Sequence, residues 1–117
     1  MLNLSHKKLD VWHLSKNFVK DIYKVTNNFP SSEIYITVNQ LKRAAISVAS
    51  NIAEGSSRNS SIERKRFFVI ARSSLVEIDT QLEISFELGF LNKESYDDLS
   101  VKINKLFAFI SKLIQNT

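Results

Sequence analysis

The chain has 117 residues, 44% of them hydrophobic, a formal net charge of +4 and no cysteine. One domain of this length hides roughly two thirds of its unfolded surface, enough for a real core, and the missing cysteine excludes disulfides, thiolate metal sites and a cysteine nucleophile. With only 2 Gly and 1 Pro, the composition argues against long disordered tracts and for helices joined by short connections.

Residues 1–14 include His6, Lys7, Lys8 and Asp10 and have no apolar h-region, so no signal peptide is expected. No stretch approaches the ~18 uncharged apolar residues of a membrane span, and a cytoplasmic location without membrane partners is predicted. The first helix is predicted over about 8–27. Trp12, Ser15, Val19, Ile22 and Thr26 step by three or four, with Val11, Phe18 and Tyr23 alongside. Phe29-Pro30-Ser31-Ser32 breaks it, because proline disfavours helix in the residue before it.

The second helix is predicted over about 34–54, with Gly55 as its stop. The run Ile34-Tyr35-Ile36-Thr37-Val38 also suits a short strand, but no second strand exists to pair with it. The third helix is predicted over about 61–88. Ser60-Ser61-Ile62-Glu63 reads as a capping box, Phe67/Phe68, Ala71, Leu75, Ile78, Leu82, Ser85 and Leu88 form the stripe, and Gly89 is the stop. The fourth is predicted over about 93–115, with a seam from Tyr96 through Leu99, Ile103, Leu106/Phe107 and Ile110 to Leu113/Ile114. Short connections throughout predict an all-α, antiparallel, up-down-up-down four-helix bundle spanning residues 1–117 as one domain.

Two features point beyond architecture. At about 100° per residue, Gln40, Arg43, Ser47, Asn51, Glu54 and, one turn on, Arg58 fall in a sector of about 80° on the second helix. A plain solvent face is rich in Lys and Glu. This stripe instead holds side chains that make directed hydrogen bonds, as at an interface with a second protein surface, most economically another copy of the chain. The second feature is charge order. Residues 42–72 hold seven basic side chains against Glu54 and Glu63, whereas residues 73–98 hold seven acids against Lys93 alone. Within the third helix Arg64, Lys65 and Arg66 come first and Glu77, Asp79, Glu83 and Glu87 later. The helix dipole favours the reverse order. This layout predicts that the basic end, Arg58, Arg64, Lys65, Arg66 and Arg72, with Lys7 and Lys8 as further candidate contacts, meets RNA, DNA or the acidic patch of a neighbouring subunit.

The run Asn39-Gln40-Leu41-Lys42-Arg43-Ala44-Ala45-Ile46-Ser47-Val48-Ala49-Ser50-Asn51-Ile52-Ala53-Glu54-Gly55-Ser56-Ser57-Arg58 resembles the signature of the small four-helix-bundle proteins encoded in intervening sequences of bacterial 23S rRNA genes. Leu9-Asp10-Val11-Trp12, Phe29-Pro30 with Glu33, and Arg72-Ser73-Ser74-Leu75-Val76-Glu77 extend the resemblance over nearly the whole chain. Many members carry Pro where Ala49 or Ser50 stands and Gly where Ser73 stands, a departure that bears on helix curvature and not on the polar stripe. The resemblance implies a ring-like homo-oligomer, a pentamer in known members, and association with RNA. The chain is similar also to the accessory protein of diversity-generating retroelements, a pentameric barrel that binds nucleic acid and a reverse transcriptase. Matching motif positions are Gln40, Arg43, Ser47, Asn51, Glu54 and Arg58, a stripe that in such a ring faces either a subunit seam or the lumen.

No catalytic residue, metal site or cofactor is predicted. The two histidines, His6 and His13, lack partners at ligand spacing, no Gly-rich phosphate loop occurs, and Glu54 with Asn51 and Arg58 reads as a hydrogen-bonded interface before an acid–base cluster. Phe67 and Phe68 read as core, not as base-stacking platforms. The predicted function is a non-catalytic, homo-oligomeric RNA-binding accessory factor. The alternative is a scaffold that docks a neighbouring nucleic-acid enzyme, such as a reverse transcriptase, without touching nucleic acid.

Overall fold

The computed structural model describes residues 1–117. It is all-helical: α1 is Asp10–Thr26, α2 Asn39–Ser56, α3 Ser61–Glu87 and α4 Lys93–Gln115, and no β-strand forms.

The first helix starts later than its apolar period suggests. Ser5–Lys8 is a separate 3₁₀ turn and Leu9 is extended, because His6 is buried with its ring edge-on to Trp12 at 4.8 Å and pins the turn sideways. Val11, Ser15, Phe18, Ile22 and Thr26 face the core. Trp12 and Val19 flank this row half-buried, and Tyr23 lies outside it, exposed. The β-branched run Ile34–Val38 forms a π-helical turn leading into α2, of which only Val38 is buried.

Gly55 does not stop α2. The helix runs on to Ser56, and Gly55 is a buried helical residue. A Cβ there would lie 2.8 Å from Phe68 Cε1 and 3.0 Å from Phe67 Cβ, so the glycine serves close packing. Gly89 does end its helix, at φ 81°. The Phe90 N–H donates to Ser85 O at 2.9 Å and the Gly89 N–H to Phe86 O at 3.0 Å, which satisfies two otherwise orphaned carbonyls at the C-terminus of α3. At the two N-termini, Ser60 Oγ accepts from Glu63 N at 3.1 Å and Asn92 Oδ1 from Ser95 N at 2.8 Å, each cap contributing about 1 kcal/mol.

Cross-helix pairs set the register. Gln40 meets Gln81, Ser47 meets Ser74 and Gly55 meets Phe68, so numbers rise along α2 as they fall along α3. The same opposed order relates α3 to α4, through Phe86–Tyr96, Arg72–Ser111 and Ser61–Thr117. Between the helices Ile22, Leu41, Val48, Ile52, Leu75, Ile78, Leu106 and Ile110 are essentially inaccessible, each contributing roughly 1.5–3 kcal/mol of transfer free energy. Phe107, expected in the seam, is 41% exposed, and Leu88 is 62% exposed at the end of α3.

Candidate nucleic-acid and subunit interface

The α2–α3 turn is held by its own cations. Arg64 Nη1 donates to the carbonyls of Arg58 at 3.2 Å and Asn59 at 3.0 Å, fixing residues 57–60 against the start of α3. Arg58 Nη2 pairs with Glu54 Oε1 at 2.8 Å, and its guanidinium stands 4.8 Å over the Phe67 ring. Arg72 donates to Ser111 Oγ at 3.3 Å and lies 5.9 Å from the Phe107 ring, tying α3 to α4. Three of the five predicted contact cations therefore also organise the bundle. Lys65 and Arg66 are exposed and have no carboxylate within ion-pair distance. Phe68 is buried core; Phe67, half-buried beneath Arg58, forms part of the corner.

The polar stripe of α2 runs along the α2–α3 seam. Ser47 Oγ and Ser74 Oγ are 2.9 Å apart, Asn51 Nδ2 donates to Ser47 O at 2.8 Å and to Ser47 Oγ at 3.0 Å, and Gln81 Nε2 donates to Gln40 Oε1 and Glu77 Oε1, both at 3.2 Å. Small side chains here, Ala44, Ser47 and Gly55, let the two helices approach closely, and the serine pair satisfies hydroxyls that such closeness would otherwise strand. Arg43 stays exposed without a carboxylate partner.

The other half of α3 is acidic: Glu77, Asp79, Glu83 and Glu87 are all exposed. Partial burial, then the carboxylates of Glu83, Asp79 and Glu87, raise the Tyr96 hydroxyl above its ordinary range; the ring stacks flat on Phe86 at 4.4 Å. Along its length α3 leaves Ile62, Val76 and Ile84 from 49 to 84% exposed, with Leu88 62% exposed just past its end, so this helix is apolar on its outer side as well as its inner one. No group of three or more His, Cys, Asp or Glu side chains is placed to hold a metal ion. His6 and His13 instead flank the Trp12 ring at 4.8 and 5.2 Å. No helix is long and apolar enough to cross a membrane.

Comparison with known proteins fits this geometry. A solved structure of a protein with unknown function from the S23 ribosomal protein family of Bacteroides thetaiotaomicron superposes with a TM-score of 0.80 at 20% identity, covering 89% of this chain and 97% of that one; at that identity the likeness speaks to fold alone. No functionally curated protein matches the sequence. The family described as 23S rRNA-intervening sequence protein matches over residues 7–112, which takes in the α2 stripe and the basic corner alike. The chain belongs to the 23S rRNA-intervening sequence protein family.

Proposed function

We propose that the protein is a non-catalytic, cytoplasmic, homo-oligomeric RNA-binding accessory factor built on an antiparallel up-down-up-down bundle, and that its basic end contacts phosphate. One observation carries the reading. Lys65 and Arg66 project unpaired from the first turns of α3, beside a corner that Arg58 and Arg64 hold rigid. Unpaired, exposed cations on a fixed frame suit a polyanion recognised through its backbone and not its bases. The opposed numbering of the α2–α3 and α3–α4 pairs supports the antiparallel arrangement. The apolar outer side of α3 supports self-association, for which the family resemblance suggests a pentameric ring.

The test is a fluorescence titration of nuclease-treated protein with single-stranded RNA, duplex RNA and duplex DNA at several salt concentrations. Binding that weakens steeply with salt is expected, and Arg64→Glu/Lys65→Glu/Arg66→Glu should weaken it uniformly across sequences. Absence of binding at low salt would reject the reading. The exposed Ile62, Val76, Ile84 and Leu88 favour a second one, a scaffold that docks a nucleic-acid enzyme through α3. It predicts a partner captured without RNA and lost when Val76 and Ile84 become Asp.

A further inference from the structure

A groove lies away from the basic corner, between α1 and α4. It has a volume of about 480 Å³, and Asn17, Lys20, Asp21, Lys24, Lys102 and Lys105 supply its polar lining. Four ammonium groups thus meet one carboxylate. That carboxylate is already engaged: Lys102 Nζ lies 2.9 Å from Asp21 Oδ2 and 3.0 Å from Asp98 Oδ2. Lys20, Lys24 and Lys105 are exposed and have no carboxylate within ion-pair distance.

The spacing makes this a track and not a scatter. Lys20 and Lys24 are one turn apart, about 6 Å along the axis of α1. Lys102 and Lys105 are about 4.5 Å apart along α4, where the same ridge continues to Lys112. Lys105 Nζ also lies 6.0 Å from the Phe109 ring, which is 38% exposed. The ridge leads to the end of α4, where the Thr117 carbonyl accepts from Ser61 Oγ at 2.9 Å, beside the turn of α3 that bears Arg64, Lys65 and Arg66. The basic corner thus lies beyond the end of α4 toward which Lys105 and Lys112 step.

We infer that the α1–α4 groove is a second phosphate-binding track, in which Lys20, Lys24 and Lys105 hold the backbone of a single nucleic-acid strand that runs on toward the basic corner. The inference rests on the RNA-binding reading above and extends it to residues of α1 and α4. Flexible lysines, without a fork of arginines, fit a sequence-independent backbone contact. An acidic protein surface would want a large central apolar anchor, and the groove offers only one small exposed one, Val101 at 71%, beside half-buried Leu14 and buried Phe18 and Leu106.

The experiment compares the wild-type protein with Lys20→Glu/Lys24→Glu/Lys105→Glu, which leaves the Lys102–Asp21 pair intact, in titrations with a fluorescent 30-nucleotide single-stranded RNA across salt concentrations. Each lost phosphate contact removes about 0.7 from the magnitude of the log–log salt slope. The triple variant should therefore lower it by about 2 and weaken low-salt binding at least about tenfold. The milder Lys→Gln triple, checked for unchanged helix content, should shift in the same direction and so separates lost contacts from misfolding. Wild-type binding with an unchanged slope in both variants overturns the groove alone. No binding by the wild-type protein overturns the groove and the RNA reading together.

Discussion

Gly55 packs against the ring of Phe68, so tightly that a methyl group on its Cα would sit 2.8 Å from Phe68 Cε1. Alanine normally favours a helix over glycine by about 1 kcal/mol. Here the gain is outweighed by overpacking, which costs typically 1–3 kcal/mol, because the Phe67 Cβ at 3.0 Å is fixed to the α3 backbone and cannot swing away. Gly55→Ala should therefore destabilise the protein by about 1 kcal/mol, read as a drop in melting temperature of roughly 5 °C. A smaller loss for Gly55→Ala in a Phe68→Leu background than in the wild type would show that the Phe68 ring is an obstacle beside the Phe67 Cβ.

Gly89→Ala should cost a similar amount for an unrelated reason. Nothing lies within 4 Å of a Cβ at that position, but φ is +81°, where an L-residue with a side chain pays roughly 1–2 kcal/mol. Gly89→Asn should recover part of the loss, because Asn tolerates the left-handed region better; at Gly55 the same Asn should be worse than Ala.

The Ser47–Ser74 hydrogen bond should show its character in a double-mutant cycle measured by urea unfolding. Either serine changed alone to Ala strands its partner in the helix seam, at a cost of about 1 kcal/mol. The double variant should cost less than the sum of the two singles, since both hydroxyls leave together. Strict additivity would mean that the hydroxyls do not interact.

Below neutral pH the N-terminal turn should loosen. Burial, then the charge of Lys7, lowers the His6 pKa below 6.5. The folded state thus binds the proton less readily than the unfolded one, so this stability is complete above pH 6.5 and is lost as pH falls through the folded-state value. Fluorescence of Trp12, 4.8 Å from the His6 ring, should change over that acidic window and cease to do so in His6→Phe. A change that persists in His6→Phe would place the titrating group elsewhere.

At the alkaline end the opposite sign applies to Lys102. Hydrogen bonds to Asp21 and Asp98 raise its pKa above 10.5, so its contribution is present below 10.5 and is lost as pH climbs through the folded value. The Lys102 side chain is 43% exposed, which limits the pair to about 0.5 kcal/mol and makes it sensitive to salt. Lys102→Met should lower stability by that amount at pH 7 in low salt and by almost nothing in high salt, measured by thermal melting.

How much was legible in the chain depends on whether the cause was local. Apolar steps of three and four, Pro30, the Ser60 and Asn92 caps and Gly89 each act within a turn or two, so the existence, order and approximate ends of four helices follow from residues read in sequence. The basic corner was legible too, since Arg58, Arg64, Lys65 and Arg66 are near neighbours along the chain. Gly55 was misleading because a helix stop and a close packing contact demand the same residue, and only the position of Phe68 distinguishes them. The bend at Leu9 likewise depends on where His6 finds Trp12. Lys20 and Lys105 are separated by most of the chain, and the only local hint of their ridge is the four-residue step through Lys16, Lys20 and Lys24. Which helix faces bury is decided by pairwise packing of all four helices at once, and the groove is the surface that packing leaves between α1 and α4. Local propensity is a property of the chain; juxtaposition is a property of the packed core, and both the seam of α2 and the lysine track exist only there.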